Sequence, residues 1–393
     1  MPQQTQSPAQ INSDARAAIK ALSSYMTQPL FSESGLQNKS QITVRFQNVG
    51  LVTGFWVQVI LAVHNGSAVQ INATDFSAAN ALSNIQLTDF ANVTRHNAPG
   101  WLFHFLNSAK IRRVYGAAMV RTTGFASPID YGDLGDGQIS CPATIAAGAD
   151  GTVVMWYYVP VSYSRDDLRG TLYANVNNAT AQLLLSLPNS NGVQLAVEAG
   201  TDSTQAVFVG NAAGSVAAVT MTNATINVSQ CYWDNLPRIG GKLLLPVTDL
   251  MTAYEIKNST LSGLTTGRDF GFQYTNNRDF IATFLVYVNT LATGARVSGA
   301  DINYLQLLAA NLTPVWKITP ALAFLQNRIA MGTDFPPGCY YFDQRDRPIS
   351  TTQFGNMQIQ INPITAGTGA YLMAGTEDFA LLSAVSTAGS FPT

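Results

Sequence analysis

This chain is short of charge. Asp, Glu, Lys and Arg make up 11% of its 393 residues, against about 25% in ordinary soluble domains. The net charge is −2, which leaves no electrostatic footprint for nucleic acid as a partner. A soluble monomer normally uses surface charge to stay apart from its neighbours. A chain this neutral is therefore expected to have much of its surface covered by other subunits. Cysteine is scarce as well. Cys141, Cys231 and Cys339 are an odd, widely spaced set, which makes neither a disulfide framework nor a metal cluster. Buried thiols in a reducing cytoplasm are the expectation. No apolar run reaches the roughly 18 residues that cross a bilayer. Met1 to Gln10 has neither the basic nor the apolar segment of a secretion signal.

Catalytic motifs are also missing. The three histidines are His64, His96 and His104, and the last two lack the spacing and the glutamate of a zinc protease. There is no Gly-x-Ser-x-Gly elbow to expose a nucleophile. Gly240-Gly241-Lys242 has no upstream glycine to complete a phosphate loop. Asp130, Asp133 and Asp136 recur every third residue, where a calcium loop needs every second and a closing Glu. The neighbours Asp166-Asp167 and Glu377-Asp378 would point to opposite faces of a strand, so they are expected as solvated corners. No catalytic, cofactor-binding or metal-binding residue is predicted, and the chain is expected not to be an enzyme. Asn-x-Ser/Thr triplets at Asn72, Asn178, Asn223, Asn227, Asn258 and Asn311 fit turn chemistry.

What is present is alternation. In Thr333 to Pro363, Met357, Ile359 and Ile361 point one way and Gln358, Gln360 and Asn362 the other, the mark of a strand with one buried face. Before it stand an aromatic run, Cys339 to Phe342, and a charged corner, Asp343 to Pro348. Trp156 to Leu187 has the same grammar: a Tyr157-Tyr158 strand, an Arg165-Asp166 corner, then a second apolar strand. Gly54 to His64 is an apolar strand followed by Asp75 and a helix-like run. Phe280 to Asn289 is followed in the same way by Asp301. Features recurring in one order imply two copies of one β-rich fold. Leu236 to Lys242, with Pro and two adjacent Gly, is the expected linker.

At the front, Ile11, Ala15, Ala18, Ile19, Leu22 and Met26 lie at helical spacing, with Asn12 or Ser13 as N-cap. Arg16 and Lys20 sit one turn apart on another face. Such a helix packs on its own domain, ties to a neighbouring subunit, or lies on lipid head groups; the first is the simplest. Pro99 to Lys110 is apolar enough for helix or strand.

Several stretches together resemble the major capsid protein of the tectiviruses, tailless icosahedral bacteriophages with a membrane beneath the shell. They are TDF-x-x-AN (Thr74 to Asn80), GW-x-x-HF-x-N-x-AK (Gly100 to Lys110), PI-x-YGD (Pro128 to Asp133) and PATIAAGA-x-G (Pro142 to Gly151). Next come YY-x-VP-x-x-YS-x-x-DL-x-G (Tyr157 to Gly170), LP-x-x-DL (Leu245 to Leu250), DINYL (Asp301 to Leu305) and IA-x-x-TDFP-x-G-x-YY-x-D-x-RD-x-PI (Ile329 to Ile349). They follow one order across roughly residues 45 to 365. The resemblance implies an all-β double jelly roll of two eight-stranded units, with short helices in loops and an N-terminal helix. The expected division is an arm over 1–40, a first roll over 41–240, a second over 241–384 and a tail over 385–393. It also implies a structural shell protein of the virion, made in the host bacterial cytoplasm. The expected assembly is a pseudo-hexagonal homotrimer that tiles an icosahedral shell. Its partners would be neighbouring trimers, penton or minor capsid proteins, and the membrane beneath. Arg16 and Lys20 are then the candidate membrane-proximal residues. The rival readings are a jelly-roll carbohydrate-binding or adhesin module, and a jelly-roll glycosidase with two carboxylates across a cleft.

Overall fold

The computed structural model describes residues 8–36, 41–73, 76–115, 141–174, 181–187, 208–210, 219–290, 295–296, 301–309, 313–331, 335 and 338–381. The aspartates of the 130–137 loop, Asn178, Asn311 and the 385–393 tail lie outside these residues. Among the described residues sixteen principal strands carry the fold. In the first half they are β1 (Ser24–Glu33), β2 (Gln41–Arg45), β3 (Leu51–Asn65), β4 (Asn84–Thr88), β5 (Thr94–Ala98), β6 (Asp150–Pro160), β7 (Gln182–Ser186) and β8 (Val219–Asp234). In the second they are β9 (Thr252–Ser262), β10 (Phe270–Gln273), β11 (Asp279–Thr290), β12 (Ile302–Leu308), β13 (Pro314–Ile318), β14 (Cys339–Asp343), β15 (Gln358–Pro363) and β16 (Tyr371–Leu381). The first strand, β1, lies inside the stretch assigned from sequence to the arm.

The first half forms two sheets, ordered β1-β8-β3-β6 and β5-β4-β7-β2. The second forms β9-β16-β11-β14 and β13-β12-β15-β10. Adding eight to each strand number turns the first pair of sheets into the second. Minor strands repeat too: Leu172–Tyr173 pairs with β3, and Ile349–Ser350 pairs with β11. The molecule is a double jelly roll, each roll a sandwich rather than a closed barrel. Alternation fills the cores. Phe55, Val57, Val59 and Leu61 of β3 are fully buried against Ile85 and Leu87 of β4 and Leu183 and Leu185 of β7. In the second roll Leu285 and Tyr287 meet Leu305, Ile359 and Ile361.

One parallel contact welds the rolls. His96 of β5 lies opposite Ile256 of β9, and Asn97 opposite Lys257. Helix α2 (Gly100–Tyr115) covers this seam. Its Phe105 stacks on Phe284 of β11 at 5.1 Å, and a side chain at Gly375 of β16 would collide with Leu102. The expected linker is a hairpin, Arg238–Ile239 against Lys242–Leu243. Its turn residues Gly240 and Gly241 have φ of 58° and 82°, which a two-residue type I′ turn requires and glycine supplies without strain.

Three local expectations fold differently. Asp301 opens strand β12, not a helix, because Leu305 and Leu307 are needed in the core between β13 and β15; leucine's helical propensity yields to that burial. Helix α1 (Pro8–Leu22) starts before Asn12 and ends before Met26, which belongs to β1. Glu377 and Asp378 are no solvated corner: they lie within β16 with about 1% exposure each.

Candidate assembly surfaces

The two residues singled out from the sequence lie on α1. Its inner face buries Asn12, Ala15 and Ile19. Asn12 does not cap its own helix. Its Oδ1 accepts from the Thr248 N–H at 3.1 Å, and its Nδ2 donates to Asp249 Oδ1 at 3.1 Å, at the start of the short helix α3 (Val247–Leu250). Arg16 donates through Nε and Nη2 to the two oxygens of the same buried Asp249, and its Nη2 stands 3.6 Å from Asp167. The hydrogen bond to Asp249 raises the Arg16 pKa above its ordinary value. Lys20 pairs more loosely with Asp166 at 3.5 Å, both well exposed, a geometry that contributes little. Arg16 thus clamps the arm to the inter-roll connection, while Lys20 faces outward. Asp249 lies 233 residues away in sequence, so no local pattern announces it. Asp249→Ala is expected to loosen the arm by about 1.5–3 kcal/mol. Limited trypsin digestion would show faster cleavage at Arg16 and Lys20 while the rolls melt at an unchanged temperature.

The seam holds the densest buried chemistry. Lys110 of α2 reaches Glu377 of β16 at 2.5 Å and donates to the Tyr254 hydroxyl, which itself donates to Glu377. The Lys110 ammonium also lies 4.6 Å from the Tyr163 ring centre and 4.5 Å from that of Tyr254. Burial lowers the Lys110 pKa, and Glu377 acts against that. On the other face of the sheet Arg278 bridges Glu255 and Asp378, the second at 2.7 Å. Lys257 also bonds Glu255. Burial pushes the Asp378 carboxyl up to about 7, with Arg278 opposing. His96 is held neutral: its Nδ1 accepts from the Ile256 N–H at 2.9 Å and its Nε2–H donates to the Pro160 carbonyl. These groups are partnered inside the protein, the carboxylates by Lys110, Lys257 and Arg278. Among the described residues no cluster of His, Cys, Asp or Glu is placed to hold a metal, and no helix is long and apolar enough to cross a membrane.

The outer face of the β1-β8-β3-β6 sheet is different in kind. Across its middle it shows Thr27 and Pro29, Thr225, Asn227 and Ser229, Trp56, Gln58 and Ile60, and Val154, Trp156 and Tyr158. None of these is charged. Trp56 is 42% exposed, with Tyr158 at 5.0 Å and Trp156 at 6.5 Å between ring centres. A second uncovered apolar feature is helix α4 (Pro320–Met331), where Leu322, Leu325 and Ile329 are 43%, 50% and 76% exposed. Their i, i+3, i+7 spacing was present in the sequence, but periodicity alone does not say whether such a stripe faces its own core.

Known proteins share both sequence and fold with this chain. Residues 22–236 match the P3 major capsid protein N-terminal family and residues 251–393 the P3 major capsid protein C-terminal family. The chain is 38% identical over 357 residues to the major capsid protein P3 of Enterobacteria phage PRD1, covering 91% of this chain and 87% of that one. Among solved structures, the major capsid protein of Sulfolobus turreted icosahedral virus superimposes with a TM-score of 0.62 at 9% identity, over 93% of this chain and 100% of that one. The Faustovirus major capsid protein gives 0.51 at 8% identity, over 92% and 91%.

Proposed function

Because this chain belongs to the P3 major capsid protein family, we propose that it acts as a self-associating homotrimer whose six similar rolls give a near-hexagonal tile. It is a structural protein of a phage capsid, not an enzyme. The observation that carries the trimer is the repeated sheet order: two like rolls in one chain let three chains present six near-equivalent walls. The uncharged outer face around Trp56 supports it, since charged residues are depleted at interface centres and aromatic ones enriched. Neighbouring trimers, penton or minor capsid proteins, and a membrane beneath the shell complete the proposal. In it α1 lies at the membrane side. Arg16 orders the helix through Asp249, and Lys20 with the exposed Ile11 and Leu22 faces the lipid, Lys20 adding about 1 kcal/mol next to anionic head groups.

Native mass spectrometry at micromolar concentration is expected to show three chains per particle. Monomer alone under those conditions would refute the trimer. Deleting residues 1–22 is expected to leave trimers intact while abolishing cosedimentation with anionic vesicles; undiminished vesicle binding would remove the arm from the membrane role.

A further inference from the structure

The two halves of the chain can be overlaid residue by residue at one point. Asn107 of α2 donates to the Tyr158 carbonyl of β6 at 2.6 Å. In the second roll, Asn327 of α4, with its amide turned to satisfy both partners, donates to the Tyr341 carbonyl of β14 at 2.5 Å and accepts from the Tyr341 N–H at 3.0 Å. Each tyrosine is the second of a Tyr-Tyr pair whose first member points into its roll. Aligning the asparagines matches Leu102 with Leu322, Phe105 with Leu325, and Ala109 with Ile329. Aligning the tyrosines through the strand registers matches Phe284, opposite Tyr341, with Trp56, opposite Tyr158. The same registers match Gly375, opposite Phe284, with Ser229, opposite Trp56.

Matched positions have opposite exposure. Leu102, Phe105 and Ala109 are at most 2% exposed, Phe105 lying on Phe284 and Leu102 on Gly375 of the second roll. Their counterparts Leu322, Leu325 and Ile329 are 43–76% exposed. Phe284 is fully buried and its counterpart Trp56 is 42% exposed. One chain therefore carries a filled junction between its rolls, and the two unfilled halves of a second junction of the same design. The Trp56 face bears no charge across its middle, α4 carries one, Arg328, beside its stripe, and both have apolar side chains at the matched centres. The strands that would flank them, β13 and β1, each end a sheet, as β5 and β9 would without their mutual pairing. A single chain cannot bring the halves together, since they lie at opposite ends of the roll order.

We infer that α4 of one chain docks through Leu322, Leu325 and Ile329 onto the Trp56–Ser229 face of a second copy, repeating between chains the α2 junction found within each. Leu325 lies over Trp56 as Phe105 lies over Phe284, and Leu322 over Ser229 as Leu102 lies over Gly375. The contact is head-to-tail, so it must close into a ring to leave no free half. This deepens the trimer reading and rests on it.

The test is a Leu322→Cys/Ser229→Cys double variant of the full chain, treated with a mild oxidant and, in parallel, with a short bismaleimide. The expected result is a ladder of linked dimer and trimer on denaturing gels, absent from either single variant. Native mass spectrometry on the untreated double variant separates the two ways of failing. Trimer without cross-link by either reagent overturns this surface and leaves the trimer standing. Monomer alone overturns both. A second variant avoids new thiols: Leu325→Glu, exposed in the single chain, is expected to raise the concentration at which trimer dissociates at least tenfold with the monomer's circular dichroism unchanged. An unchanged dissociation concentration contradicts the proposal.

Discussion

Glu377→Ala is expected to destabilise the folded chain by about 3–5 kcal/mol. Among the described residues this carboxylate is the one paired with Lys110 at the seam, and it also accepts from Tyr254. Removing it leaves an ammonium in a 12% exposed position beside two tyrosine rings, without its paired carboxylate, or forces Lys110 to give up its proton. Either outcome weakens the contact of α2 with β16, and with it the join between the rolls. The paired replacement Lys110→Met/Glu377→Leu removes both charges at similar volume, and is expected to recover most of the loss. Urea unfolding of the three proteins at one pH checks this. A single variant as stable as the parent would show the pair to be dispensable.

Acid is expected to weaken the fold at a net rate of about 1.4 kcal/mol per pH unit between pH 6 and pH 4. Burial lowers His96 and His104 to about 3 each, from an ordinary value of about 6.5. Their contribution is complete above that value and declines as pH falls toward the folded one, because the unfolded chain takes up the two protons first. Asp378 works in the opposite direction. Its folded value of about 7 means that the folded chain binds that proton first, so its contribution is complete below the ordinary carboxylate range and fades as pH rises through 7. Two protons favour the unfolded state in this window and one favours the folded. Asp378→Asn removes the one that opposes, so the loss is expected to steepen to about 2.7 kcal/mol per pH unit. Unfolding free energies at pH 4.5, 5.5 and 6.5 for both proteins decide it; parallel slopes would reject the assignment.

Much of the fold was legible because strands in a sandwich advertise themselves by alternation. Met357, Ile359 and Ile361 lie inward as their spacing implies, and the Tyr-Tyr doublets mark equivalent strands in the two rolls. Where the pattern is silent there is a physical reason. Helix α2 offers Trp101, Leu102, Phe103, Phe105 and Leu106 all buried. First turns buried on every side have no polar stripe and so no helical period to detect. Glu377 and Asp378 look solvated because charge usually is; their burial depends on Lys110 and Arg278, which come from distant parts of the chain. Arg16 was singled out for its place on a basic face, and the partner that fixes it, Asp249, is set by tertiary packing alone. The α4 stripe was the opposite case: its spacing was visible, but what it contacts depends on comparing the two rolls in space.

The parallel pairing of β5 with β9 has a mechanical consequence. It makes the β5-β4-β7-β2 sheet of one roll and the β9-β16-β11-β14 sheet of the next a single hydrogen-bonded plank, with α2 bolted across the joint. Such a joint resists bending in the plane of the sheet, because among the described residues the two rolls share hydrogen-bonded strands at their boundary. Curvature in a shell built from such molecules is then expected between them, in the angle at which whole blocks meet.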